Sequence, residues 1–195
     1  MEGELYYQDL NLLPTQDVSL NFLMSKVMSV IHLVCVESER AFGVVNIGIG
    51  FPKYDKKKRS LGSVVRLFAV NSDILLNSSS DRRLCRFEDY IQKGEVRLVP
   101  STSCRYVQYR RIQIKNKERI VRRYAKRHHA NKEYVQKIYE SCRNYSVDLP
   151  FVMMDSLSSG HRFSLFIDEV LQDKNFNTLS FNSYGLTKSG TLPYF

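Results

Sequence analysis

The sequence predicts an α+β protein in two parts, and three observations carry that expectation. Strand-like alternation and helical spacing take turns through the first 100 residues, the composition turns abruptly basic after Pro100, and strand patterning returns beyond it. With 195 residues, 43% of them apolar, the chain is long enough to bury a core. ELYYQDLNL alternates like a strand, and Leu20, Leu23, Met24, Val27, Val30, Ile31 and Val34 recur at helical spacing. GVVNIGIGF and VVRLFAV read as strands on either side of the turn-rich PKYDKKKRSLG, DRRLCRFEDYI as a helix and EVRLVP as a further short strand. Strand, helix, strand, strand, helix, strand is the ferredoxin-like split pattern, which also underlies RNA-recognition domains. Residues 1–100 are therefore expected to form a ferredoxin-like domain.

Residues 101–195 are expected to form a smaller α+β domain. It would hold a strand over 104–114, a basic helix in RIVRRYAKRHH and a helix around 132–142 with Tyr134, Val135, Ile138 and Tyr139 facing inward. Two strands, PFVMMD and HRFSLFID, follow across SLSSG, and SFNSYGLTKSGTLPYF closes the chain with aromatics and turns.

The charge is localised. Residues 105–137 hold twelve of the 29 lysines and arginines against two acids, a net +10, so the other 162 residues together carry −1. Arg119, Arg122, Arg123, Lys126 and Arg127 recur at i, i+3, i+4, i+7 and i+8, which stacks them along one side of a helix. A single-sign stripe of this kind points to a polyphosphate partner, here nucleic acid, since ordinary surfaces mix signs. The opposite face is only modestly apolar, which argues against a membrane-surface helix, and no run reaches the roughly 18 apolar residues of a membrane span. A soluble cytoplasmic protein is expected. Cys35, Cys85, Cys104 and Cys142 are isolated and read as reduced, packed thiols rather than a disulfide framework or zinc site.

A rigid basic helix without the aromatic strands of RNA-recognition domains favours a structured hairpin over a bare single strand. Arg111 and Gln113, two apart in the preceding strand, would project from one face with the donors and acceptors that grip guanine and adenine edges; a merely wetted polar face is the alternative. The acids Asp148, Asp155, Asp168, Glu169 and Asp173 show no metal-binding spacing, so no metal or other cofactor is expected. RNA carries its own nucleophile, and a histidine, with a reference pKa near 6.5, can unmask a 2′-hydroxyl. Of the four histidines, His32 lies in the first helix beside Ile31, where a packing role is the competing reading.

The chain resembles the CRISPR-associated repeat-processing endoribonucleases of the type I-F systems, the Csy branch of the Cas-six group. The resemblance rests on the closing YGLTKSGTLPYF, the LPFV...S.S.G..F..FI block at 149–167, the RIQ-K-ER-RR-KRH stretch at 111–128, and LMS......H with downstream GFP at 23–52. It implies a protein that binds the CRISPR repeat stem-loop and cuts precursor crRNA at the 3′ base of the stem without metal, leaving a 2′,3′-cyclic phosphate and a 5′-hydroxyl. It also implies that the protein stays on the mature crRNA as a subunit of the type I-F surveillance complex, beside its other subunits. Carried over by motif position, His32 would be the general base, Ser156 would hold the attacking ribose and Tyr184 would orient the histidine. Arg111 and Gln113 would read the stem's last purines, Lys115, Arg119, Arg122, Arg123, Lys126 and Arg127 would contact the RNA along the groove, and Phe163 would stack on the terminal base pair. The linker KNKE is one residue shorter than the family's KxNPE form and lacks its proline. A non-catalytic module that binds structured RNA, with His32 as packing, and a metal-dependent nuclease are the rival readings.

Overall fold

The computed structural model describes residues 4–100, 105–113, 123–127, 134, 148–156, 160–174 and 179–195. By contacts the chain divides into two units, Met1–Arg111 with Leu149–Phe195, and Ile112–Asp148. By this measure the region expected as a second domain is shared between them, because strands on both sides of the basic stretch belong with the N-terminal unit.

In the first unit, β1 (Tyr6–Leu12), α1 (Leu20–Phe42), β2 (Gly48–Gly50), β3 (Val64–Ala69), α2 (Ser72–Ser79), α3 (Arg82–Cys85), β4 (Ile91–Lys93) and β5 (Arg97–Leu98) follow in order. The strands line up β2-β3-β1-β4, with each neighbouring pair antiparallel and β5 also paired to β1. That is the split ferredoxin-like arrangement the sequence predicts. A second antiparallel sheet is built from β6 (Arg105–Ile112), β7 (Phe151–Asp155), β8 (Arg162–Gln172) and, at its far edge, a final short strand Leu192–Tyr194, in the order Leu192–Tyr194, β6, β8, β7. The remaining pair is β9 (Ser180–Phe181) with β10 (Thr187–Ser189), which makes Leu192–Tyr194 β11. One apolar cluster joins the two sheets, running from Leu10, Ile49 and Phe68 through Val107 and Tyr109 to Leu165 and Leu192.

Helix α1 starts where Ser19 accepts the Phe22 N–H and stops at Gly43, whose φ of +73° suits a residue without Cβ and whose N–H reaches the Glu39 carbonyl at 2.9 Å. It runs two turns past the expected end, because Glu37 to Phe42 remain compatible with helix until that cap. By length and composition it could cross a membrane. Its apolar face, with Leu23, Met24, Val27, Met28, Ile31 and Cys35 buried, is instead the core of this fold, touching both β1 and β7. Burial pushes the Cys35 thiol up to about 12, as suits a packed, unreactive cysteine.

Two local expectations change, and one helix appears where none was expected. GVVNIGIGF pairs only over Gly48–Gly50, where the Phe181 ring fills the space a side chain at Gly48 would need. DRRLCRFEDYI gives one turn of helix, a 3-10 turn at Glu88–Tyr90 and then β4. Helix α2 emerges from a serine-rich segment without helical apolar spacing, held by Asn71, which accepts the Asp73 N–H at 2.8 Å, and by buried Leu75.

Arg66 on β3 grips Asp9, its antiparallel partner on β1, through two hydrogen bonds of 2.7 and 2.8 Å. The same guanidinium donates to the Phe195 carbonyl at 2.7 Å and lies 4.1 Å from that residue's ring centroid. The C-terminal segment is thus clasped onto the N-terminal sheet.

Candidate active site

His32 sits half-buried on α1 beside buried Ile31. Its Nδ1 is 2.6 Å from the Ser183 carbonyl oxygen. A carbonyl only accepts, so Nδ1 carries the hydrogen, and in the neutral ring the lone pair belongs to Nε2. Nε2 is therefore the atom able to take a proton. The Tyr184 ring lies flat on the imidazole, 4.3 Å between centroids and 12° between planes, which favours that tilt.

The turn that supplies both partners is tightly tied. The Asn182 side chain accepts the N–H groups of Tyr184 and Leu186 at 2.9 and 3.3 Å, and Gly185 donates to the Asn182 carbonyl at 2.8 Å. Ile49 on β2 donates to the Gly185 carbonyl at 2.8 Å, pinning the turn to the N-terminal sheet. Gly185 has φ +71° and would place a Cβ 2.6 Å from Ile49 Cγ1, so the approach depends on glycine.

Phe163 on β8 meets Tyr184 edge-on at 6.5 Å, and the Arg111 guanidinium, from the end of β6, lies 4.9 Å from the Tyr184 centroid and 5.7 Å from that of Phe163. Four of the residues singled out in the sequence thus converge: His32, Tyr184, Phe163 and Arg111. Ser156 follows β7 directly, with its N–H on the His161 carbonyl at 2.9 Å. It stands two residues beyond Met154, which pairs with Phe163 and takes a 3.7 Å contact from Ser29, one helical turn before His32. Among the described residues, no three His, Cys, Asp or Glu side chains gather as metal ligands would.

The family model described as CRISPR-associated protein (Cas_Csy4) matches residues 7–195. The chain belongs to the Cas_Csy4 family. It is 33% identical over 191 residues to a CRISPR-associated endonuclease Cas6/Csy4 of Pseudomonas aeruginosa (strain UCBPP-PA14), covering 97% of this chain and 99% of that one. It is 31% identical over 195 residues to the protein of the same name from Escherichia coli (strain UTI89 / UPEC), again covering 97% and 99%.

In this Cas_Csy4 chain, Arg123, Lys126 and Arg127 are exposed on helical residues 123–127, and Tyr124 lies 6.2 Å from Tyr134. Lys115, Arg119 and Arg122 fall outside the described residues. Gln113 is exposed immediately after β6 ends at Ile112. Ser183, Asn182 and Gly185 escaped the sequence reading, because a backbone acceptor has no side-chain signature; the turn-prone N-S-Y-G run was the available signal.

Proposed function

We propose that the chain is a metal-independent endoribonuclease that binds the CRISPR repeat stem-loop and cuts precursor crRNA at the 3′ base of the stem. The observation that carries the reading is the 2.6 Å contact of His32 Nδ1 with the Ser183 carbonyl, which leaves Nε2 as an oriented base. Nε2 takes the proton of the 2′-hydroxyl before the cut, and the 2′-oxygen attacks the adjacent phosphorus. The bond from phosphorus to the 5′-oxygen breaks, and that oxygen gains a proton to become a 5′-hydroxyl opposite a 2′,3′-cyclic phosphate.

Ser156 holds the attacking ribose, Tyr184 keeps the imidazole in its plane, and Phe163 offers a ring to the last base pair of the stem. Arg111, already against both rings, reads the adjoining purine with Gln113, while Lys115, Arg119, Arg122, Arg123, Lys126 and Arg127 engage the phosphates. The product stem-loop stays bound in the cytoplasm, and the protein becomes the stem-loop-holding subunit of the type I-F surveillance complex.

The test is incubation of the full chain with its cognate repeat RNA in excess chelator, followed by end-group analysis. Cyclic phosphate termini are expected, and a hairpin carrying a 2′-deoxy nucleotide before the cut binds and stays whole. Plain 3′-hydroxyl ends, or cutting that chelator abolishes, overturn the reading; tight binding with no cutting leaves the non-catalytic module.

A further inference from the structure

We infer that a groove beside the candidate base holds the unpaired RNA on the 3′ side of the cut, an inference that rests on the cleavage reading above. The groove, about 460 Å³, lies between the first half of α1 and the outward face of β7, the edge strand of its sheet. Its two walls run toward the two residues assigned to the attacking ribose. On α1, Ser25 and Ser29 line it, and His32 continues the same helical face at i+7 from Ser25. On β7, Phe151, Met153 and Asp155 alternate onto it, and Ser156 is the next residue of the chain. From Phe22 to His32 the helix spans about 15 Å at roughly 1.5 Å per residue, room for a few nucleotides.

The lining has what a single strand requires, apolar and ring faces for bases with cations for phosphates. Phe22, Phe151 and Met153, 50%, 44% and 39% exposed, supply the apolar and ring faces. The Lys26 ammonium lies 5.3 Å from the Phe22 ring, and Arg59 and Arg162 bring the cations to three against one acid, Asp155, itself bridged to Arg162 at 3.1 Å. Outside residues 105–137 the chain carries a net −1, so this cationic lining is not the by-product of a generally basic surface. None of the lining residues belongs to the His32, Tyr184, Phe163 and Arg111 group. With that group assigned to the stem, the groove is left to the strand that departs from the cut.

Two repeat hairpins blocked by a 2′-deoxy nucleotide, one ending just past the cut and one with several unpaired 3′ nucleotides, test this on the full chain. The longer hairpin should bind about tenfold tighter, the worth of one stacked base. That ratio should fall to about one when Phe151→Ala and Lys26→Ala are combined. A 4-thiouridine two nucleotides past the cut should crosslink to peptides containing residues 21–29 or 151–155. Equal affinities in the wild-type protein, a ratio that survives the double substitution, or crosslinks confined elsewhere overturn the inference and leave the groove to a protein partner. Failure of the parent reading has a different sign: the all-ribose hairpin would bind and remain uncut.

Discussion

The imidazole of His32 and the phenol of Tyr184 lie face to face, 12° from parallel and 4.3 Å apart. A stack of this kind is worth about 0.5–1.5 kcal/mol beyond simple burial, so it biases the ring's orientation without locking it. Tyr184→Phe preserves the stack and should cut within about threefold of wild type, whereas Tyr184→Ala should slow single-turnover cutting by roughly three- to tenfold. Equal rates for the two variants would remove Tyr184 as a positioning residue.

Gly185→Ala should be harsher than its size suggests. The new Cβ would sit 2.6 Å from Ile49 Cγ1 at a φ of +71°, which strains backbone and packing together by about 1–3 kcal/mol. Because the turn also carries the Ser183 carbonyl, thermal stability and cutting rate should fall in concert while affinity for the uncut hairpin holds. A variant that melts lower but cuts normally would separate the turn from the chemistry.

Affinity for the hairpin should fall steeply with salt. If the five stripe residues each neutralise one phosphate, log Kd against log salt has a slope of about 3 to 4. Replacing the exposed Arg123, Lys126 and Arg127 together with alanine should lower that slope by about 2 to 3, measured by filter binding across a salt series. An unchanged slope would place those cations away from the RNA.

Arg66→Lys is a test of shape rather than charge. Arg66 is 11% exposed and holds both oxygens of Asp9, and an ammonium cannot reproduce that fork. About 2 kcal/mol should be lost, or roughly 4–8 °C in Tm for a chain of this length. A melting point within a degree of wild type would show that packing around Phe195 alone holds the C-terminal segment.

Partial burial raises the Glu169 carboxyl above its ordinary range; the Tyr109 hydroxyl at 3.1 Å opposes that shift, and neighbouring Asp168 adds to it. The folded chain therefore binds this proton more tightly than the unfolded chain. The stabilisation is complete below the unfolded value, about pH 4.3, and is lost as pH climbs through the higher folded value. Glu169→Gln should match wild type in acid and melt higher at neutral pH, and parallel Tm curves for the two proteins would refute the shift.

Strands β1 and β7 were legible because alternation shows in their residues: Gln8, Leu10 and Leu12 are buried on one face of β1, and Val152 and Met154 on one face of β7. Strand β3 was legible instead as a short apolar run buried on both faces. Helix α2 was not, since Asn and Ser compete with helix locally and only Leu75 and two serines are buried there. His32 stood out by residue type and resemblance, and the aromatic and arginine around it by motif position. What could not be read was the environment that makes the imidazole useful. The Ser183 carbonyl acts through 151 residues of chain separation and through an atom every residue possesses.

That last contact has an evolutionary edge. A side-chain partner can be erased by a single codon change, but a main-chain oxygen survives every substitution at its own position that leaves the loop's path intact. Drift at residue 183 should thus be tolerated far more freely than its nearness to the reaction suggests, and anyone seeking an inactive yet well-folded version by editing that position will be disappointed.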